Sequence, residues 1–207
     1  MTGLLRGVSA PLAVLTCCGV SFFQPGAEAK EVAPFRAALA VYWGRGAGSE
    51  AFRDDLSRSL AEVLTTSCFA GVAIADGDVA AAGTDLVLTV VLSEVLDETR
   101  FDDSIAGALR PGEPAQELRR VARFEVTADA TLSARSTGAV VHRKHLVANV
   151  LRRPIYVGDD PQATARAEAL DKVVNDLTKG LGCGGAKLER KIREALGTTG
   201  QPASALR

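Results

Sequence analysis

This sequence of 207 residues has few aromatic residues, and neither positive nor negative charge predominates in it. Phe, Trp and Tyr together make up 5% of the chain, so a hydrophobic core has to be built mainly from Ala, Val and Leu. The formal net charge is only −1 at pH 7, which gives the chain no electrostatic reason to bind nucleic acid. No nucleic-acid partner is therefore expected.

The sequence also has few residues that could carry catalysis. Its two histidines, His142 and His145, would point to opposite faces of a strand, so we do not expect them to share a metal ion. The stretch Gly44–Gly48 lies between a predicted strand and a predicted helix, but it lacks the Lys-Ser/Thr ending of a phosphate-binding loop. We interpret it as a glycine-rich turn. We therefore predict no catalytic residue, metal or cofactor, although the sequence does not exclude an enzyme.

The one long apolar run lies at the start of the chain. Arg6 precedes the run Val8–Phe23, and a small-x-small sequence ends at Ala29. This order is the layout of a secretory signal peptide. We predict that residues 1–29 are a leader and that the protein is exported to the periplasm or the outer membrane. A membrane-spanning anchor is disfavoured because the run is shorter than the roughly 20 residues that a span needs.

The leader can be interpreted in two ways. Cleavage after Ala29 would release a soluble protein. Alternatively, Leu15-Thr16-Cys17-Cys18-Gly19 resembles a lipobox, and Cys17 or Cys18 would then carry a lipid that attaches the protein to a membrane. Both outcomes imply export.

Two cysteines remain after the leader, Cys68 and Cys183. An even pair in an exported chain indicates a disulfide, which we favour over two buried free thiols. The remaining chain is long enough for a single domain with its own core. We predict that this domain covers residues 30–196 and that residues 197–207 are a disordered tail.

The hydrophobic pattern predicts an α+β fold. We expect a mixed, mostly antiparallel four-stranded sheet with two main helices packed on one face, in the order β-α-(β)-β-β-β-α, followed by a short C-terminal helix. The predicted strands are Phe35–Trp43, a short one at Val72–Ile74, Leu86–Leu96, Phe124–Ala134 and Ala139–Val150. The predicted helices run from the N-cap Ser49 to Thr66, from Pro161 after the cap Asp160 to a stop at Gly180, and from Ala186 to Leu196.

One long connection, residues 97–120, interrupts this pattern. It has an acidic start, a Pro-Gly-Glu-Pro turn and a basic end. A connection of this length is usually functional or disordered, so it is either a mobile excursion or a loop that contacts a partner. Together with the basic run in the last strand it defines the candidate partner surface, which consists of Phe101, Asp102, Asp103, Arg119, Arg120, Arg143 and Lys144.

The order of elements resembles that of small bacterial envelope proteins. It is similar to the lipopolysaccharide-transport outer-membrane lipoprotein, the amino-terminal domain of TolB, and the curli-secretion and penicillin-binding-protein-activator lipoproteins. The resemblance is carried by the segments Phe35–Trp43, Ser49–Leu64, Thr84–Val95, Arg123–Val150 and Pro161–Leu181. It covers most of the chain after the leader as a pattern and without a diagnostic motif. It implies a protein that works by binding partners and not by catalysis.

Two functions follow from these observations. The first is a non-catalytic periplasmic or outer-membrane-attached accessory protein that binds another envelope component, either a protein or a lipid-linked partner. The alternative is a periplasmic protein that binds a small molecule or a glycan, or a hydrolase with an unrecognised site. A pocket at the Gly44–Gly48 turn would favour the alternative, whereas an exposed sheet face or edge would favour the accessory protein.

Overall fold

The computed structural model describes residues 33–45, 48–75, 83–101, 119–156 and 158–197. Five strands and three helices lie in these ranges. The strands are β1 (Ala33–Arg45), β2 (Phe69–Ile74), β3 (Leu86–Phe101), β4 (Arg120–Ala134) and β5 (Val140–Arg152). The helices are α1 (Glu50–Ser67), α2 (Pro161–Leu181) and α3 (Ala186–Ala195). The leader and the tail predicted at residues 197–207 lie outside the described residues, apart from Gly197.

The strands form one mixed, curled sheet in the order β2-β1-β3-β4-β5, so the predicted α+β class is confirmed. β1 pairs in parallel with both β2 and β3, whereas β4 pairs antiparallel with β3 and β5. The expected short strand is the full edge strand β2, which makes the sheet five-stranded and not four-stranded. Its parallel position follows from the helix α1 that connects it to β1.

The helices cover one face of the sheet and bury its apolar side chains. β4 alternates as its sequence predicts: Phe124, Val126, Ala128 and Leu132 are buried on the helix side. In α1 the buried residues recur every fourth position, at Phe52, Leu56, Leu60 and Leu64. This spacing places them on one stripe of the helix, directed at the sheet.

Capping residues determine where the two main helices begin and end. The Ser49 side chain accepts a hydrogen bond from the Phe52 amide, and Asp160 accepts from the amides of Gln162 and Ala163, so both predicted N-caps are confirmed. The predicted stop at Gly180 is wrong by two residues. Gly182, with φ of 69°, is the C-cap of α2, because a left-handed residue is what ends the helix.

β3 and β4 extend further than their sequences predict. The ladder between them continues from Asp97, opposite Phe124, to Phe101, opposite Arg120. Both ends of the predicted connection at 97–120 are therefore strands, and only residues 102–118 lie outside the described residues. Polar residues can occupy this part of β3 because side chains of α2 form hydrogen bonds with them. One of them is the Gln162 side chain, which lies 3.2 Å from the Thr99 hydroxyl.

The topology gives the domain two distinct ends. β1, β3 and β5 all run in the same direction, because β1 and β3 pair in parallel and β4 is antiparallel to both β3 and β5. The starts of these three strands therefore share one end with the last turn of α2, and we name it the proximal end. The chain enters the domain there, at Ala33. The opposite, distal end contains Phe101, Arg120 and Arg152 together with the first turns of α1 and α2.

A disulfide joins Cys68 and Cys183 near the proximal end, as predicted. Cys68 is the C-cap of α1 and is fully buried, and Cys183 follows the C-cap of α2. The bond links residues 115 positions apart. It therefore connects the ends of the two helices that cover the sheet.

Candidate partner-binding surfaces

The distal end exposes an apolar side chain at the tip of the β3–β4 ladder. Phe101 is 58% exposed and lies opposite Arg120, with Arg119 next along the chain. These three residues of the predicted partner surface therefore share one edge of the fold. Asp102 and Asp103, which were predicted to belong to it, lie outside the described residues.

A second exposed apolar pair was not predicted from the sequence. Ile155 is 88% exposed and Tyr156 is 64% exposed, in the connection between β5 and α2. Hydrogen bonds hold this connection as a turn: the Ile155 amide donates to the Asp159 carboxylate at 2.9 Å, and the Asp159 amide donates to the Tyr156 carbonyl at 3.2 Å. In the sequence, the short apolar run Ile155-Tyr156-Val157 between Pro154 and Gly158 is the signal for this site.

The basic run of β5 is divided between the two faces of the sheet. Arg143 and His145 lie opposite Thr131 and Asp129 on the uncovered face, whereas His142 and Lys144 lie on the helix side. The two histidines thus occupy opposite faces, as their spacing predicts. Arg143 and Lys144 also lie some nine residues, or about 30 Å, along β5 from its distal end. The structure does not bring them together with Phe101.

The uncovered sheet face carries polar pairs beside half-exposed apolar side chains. Asp129 and the Nδ1 atom of His145 are 2.8 Å apart across β4 and β5. The Glu125 carboxylate accepts hydrogen bonds from both Arg123 and Asn149 at 2.9 Å. Val147 on this face is 46% exposed. Cross-strand pairs of this kind stabilise the sheet and leave a mixed surface open to solvent.

A cleft of about 660 Å³ runs between α1 and α2 on the opposite side of the molecule. Phe52 and Leu170 line its base, and charged side chains from both helices line its walls. The residues involved are Ser49, Asp55, Arg58, Glu62, Arg166 and Asp171, with Ser59 and small residues between them. The cleft begins beside the first turn of α1 and therefore lies next to the Gly44–Gly48 turn.

Packing explains one glycine of that turn. A Cβ atom added to Gly48 would lie 2.2 Å from ring atoms of Trp43, so this position can hold only glycine unless the indole ring moves. Gly46 and Ala47 lie outside the described residues. Gly48 therefore leaves room for the Trp43 ring directly before the N-cap of α1.

Within the described residues, no group of three or more His, Cys, Asp or Glu side chains is arranged to hold a metal ion. None of the helices in these ranges combines the length and the hydropathy of a membrane-spanning segment.

No protein-family model matches this sequence, and no curated protein does. Similar solved structures include a neuraminyllactose-binding hemagglutinin homologue from Helicobacter pylori (14% identity, 82% of this chain and 95% of that chain, TM-score 0.46). A minor lipoprotein from Acinetobacter baumannii is 13% identical, with 69% of this chain and 89% of that chain covered and a TM-score of 0.37. Lipoprotein GNA1162 from Neisseria meningitidis is also 13% identical, with 70% of this chain and 99% of that chain covered and a TM-score of 0.39. The similar structures thus include bacterial lipoproteins.

Proposed function

We propose that this protein is an exported, non-catalytic accessory protein that binds another component of the cell envelope through its distal end. The surface proposed consists of Phe101, Arg119, Arg120, Ile155 and Tyr156, and we name it the distal surface. The observation that carries the proposal is the exposure of Ile155, Tyr156 and Phe101 at this same end. Large apolar side chains grouped on a surface are typical of sites that bind a partner.

The chemistry of the distal surface favours a protein partner. Tyrosine and arginine are the side chains most often found where a protein interface has its largest binding energy. The turn at Ile155 is held by its own hydrogen bonds, so little conformational entropy would be lost when the two apolar side chains are buried. Residues 102–118 connect Phe101 to Arg119 in the sequence and therefore adjoin the surface along the chain.

The position of the distal surface is compatible with attachment of the protein to a membrane through the proximal end of the domain. The chain enters at Ala33, at the proximal end, and β3 alone has 16 residues. At about 3.3 Å per residue, a strand of this length spans roughly 50 Å. If Cys17 or Cys18 carries a lipid, the distal surface would face away from the membrane that holds the lipid, where it could reach a second envelope component.

Site-specific crosslinking in the native host tests this function. A photoreactive phenylalanine analogue at position 156 should give a discrete adduct in intact cells, and Ile155→Asp should abolish it. The matched control is the same analogue at Val140, which is 46% exposed at the proximal end. The proposal fails if positions 140 and 156 give the same adducts, or if Ile155→Asp leaves the adduct at 156 unchanged.

A second candidate function is the binding of a small polar molecule or a glycan in the cleft between α1 and α2. The volume of about 660 Å³ lies within the range of small-ligand sites, and charged walls above an apolar base could orient such a ligand. Filling the cleft with Ser59→Trp would abolish binding of this kind and leave crosslinking at position 156 intact. Chemical-shift changes of the cleft residues during titration with soluble sugars would detect it.

A further inference from the structure

Three basic side chains meet on the helix side of the sheet at the proximal end: His142 and Lys144 of β5 and Lys191 of α3. We name them the proximal cluster. The register of β5 places His142 opposite Leu132 and Lys144 opposite Ala130, both on the buried face of β4. Lys191 approaches from α3, near enough to act electrostatically on His142.

Packing holds the members of the cluster in place. The methylene stem of Lys144 lies along α2, where its Cδ atom is 3.4 Å from the position that a Cβ atom of Gly180 would occupy. Helix α3 is fixed by its buried residues Leu188 and Ile192. The Thr137 hydroxyl, in the β4–β5 hairpin, donates a hydrogen bond to the Ala195 carbonyl at 2.8 Å. Packing therefore fixes the stem of Lys144 against α2 and the helix that carries Lys191.

The cluster has no acidic partner among the described residues. Glu189 and Glu194 are the carboxylates of α3, and they pair with Arg193 and Arg190 on the same helix. Across the described ranges, neither Lys144 nor Lys191 makes an ion pair or a side-chain hydrogen bond. Two ammonium groups beside an imidazole therefore form a local excess of positive charge.

His142 provides an independent observation at the same place. Its Nε2 atom is buried and has no hydrogen-bond partner within the described part of the chain. Burial, and then the charges of Lys191 and Lys144, lower the pKa of the imidazole. A bound anion would accept a hydrogen bond from Nε2 and would offset the repulsion among the three groups. With the proton on Nε2, the imidazole has a donor that no acceptor satisfies within the described residues.

We propose that the proximal cluster binds a phosphate group, carried either by a free phosphate compound or by the headgroup of an anionic phospholipid. Lys144 and Lys191 would each donate to the phosphate oxygens, and His142 would donate from Nε2. The cluster lies at the end where the chain enters the domain at Ala33. This location makes a lipid headgroup accessible if the leader attaches the protein to a membrane. The proposal does not depend on the distal surface.

The test follows the imidazole resonances of His142 by NMR while inorganic phosphate is added. In a parallel arm, sedimentation with vesicles of phosphatidylglycerol is compared with sedimentation with vesicles of phosphatidylcholine. Lys144→Gln and Lys191→Gln should each weaken binding about fivefold, since one lysine near an anionic surface contributes about 1 kcal/mol. Lys191→Arg keeps the positive charge and should therefore bind as tightly as the parent protein. Lys172→Gln on α2 is the matched control, because it removes the same charge from an exposed lysine outside the cluster.

Each outcome supports or overturns the proposal. Phosphate-dependent shifts whose apparent affinity falls about fivefold in each of Lys144→Gln and Lys191→Gln identify a site for free phosphate compounds. Binding to phosphatidylglycerol vesicles alone, with the same dependence on the two lysines, identifies a headgroup site. The proposal is overturned if neither probe binds. It is also overturned if Lys172→Gln weakens binding as much as the two cluster variants do.

Discussion

Arg166 of α2 pairs with Asp97 of β3, with its Nε atom 3.0 Å from a carboxylate oxygen, across 69 positions of sequence. The pair joins the distal part of the β3–β4 ladder to the first half of α2. It lies at the rim of the cleft between α1 and α2, which Arg166 also lines. The acidic sequence that would otherwise indicate a loop is therefore part of a strand held by a helix.

Removing this ion pair should have a small effect on stability. The side chains are 44% and 27% exposed, and pairs of this exposure contribute about 0.2–1 kcal/mol. Arg166→Ala, Asp97→Ala and the double variant form a thermodynamic cycle that urea denaturation can measure. A coupling energy well above about 1 kcal/mol would contradict this expectation.

Much of the architecture could be predicted because it depends on local patterns. The alternation of β4 and the spacing of α1 determine which faces are buried, and the caps Ser49 and Asp160 determine where helices begin. The disulfide followed from the even number of cysteines that remain after the leader. These features can be recognised from residues that are neighbours in the sequence, or from the number of cysteines.

Other features depend on residues that are distant in the sequence. The polar end of β3 is a strand because Arg166 and Gln162 of α2 contact it. The sequence of β5 does not indicate which face is buried, because charged residues fall on both: Lys144 lies on the helix side and Arg143 on the uncovered side. The proximal cluster also requires α3 to pack beside β5, and no local pattern indicates this contact.

The disulfide should contribute substantially to stability. The bond between Cys68 and Cys183 closes a loop with a sequence separation of 115, and in the loop-entropy model a bond of this span restricts the unfolded chain strongly. We expect Cys68→Ser with Cys183→Ser to lower the free energy of unfolding by about 2–4 kcal/mol. Denaturation of both proteins, with and without reductant, measures this change. The double variant should be insensitive to the reductant.

The packing between α1 and the sheet should be sensitive to truncation. Leu60 is fully buried in α1, and a Leu→Ala change at such a site costs about 2–5 kcal/mol. Leu151→Ala is the control, because Leu151 is 54% exposed on β5 and its truncation should change stability by less than about 0.5 kcal/mol. Urea denaturation compares the two variants, and equal losses would contradict the burial of Leu60.

Acid should destabilise the fold through His142. Burial, Lys191 and Lys144 lower the pKa of this imidazole in the folded protein, while in the unfolded chain it is near the ordinary value of about 6.5. Below about pH 6.5 the unfolded state therefore binds the proton more readily. The free energy of unfolding should decrease as the pH falls from about 6.5 through the lowered pKa of the folded protein.

Variants at the proximal cluster separate this effect from general acid denaturation. His142→Gln should flatten the dependence of stability on pH in that window, because glutamine does not titrate. Lys191→Gln should keep the imidazole but raise its pKa towards the ordinary value, since one source of repulsion is removed. Urea denaturation between about pH 5 and pH 8 and NMR titration of the His142 ring measure the two quantities. A slope in His142→Gln equal to that of the parent protein would show that other groups cause the acid sensitivity.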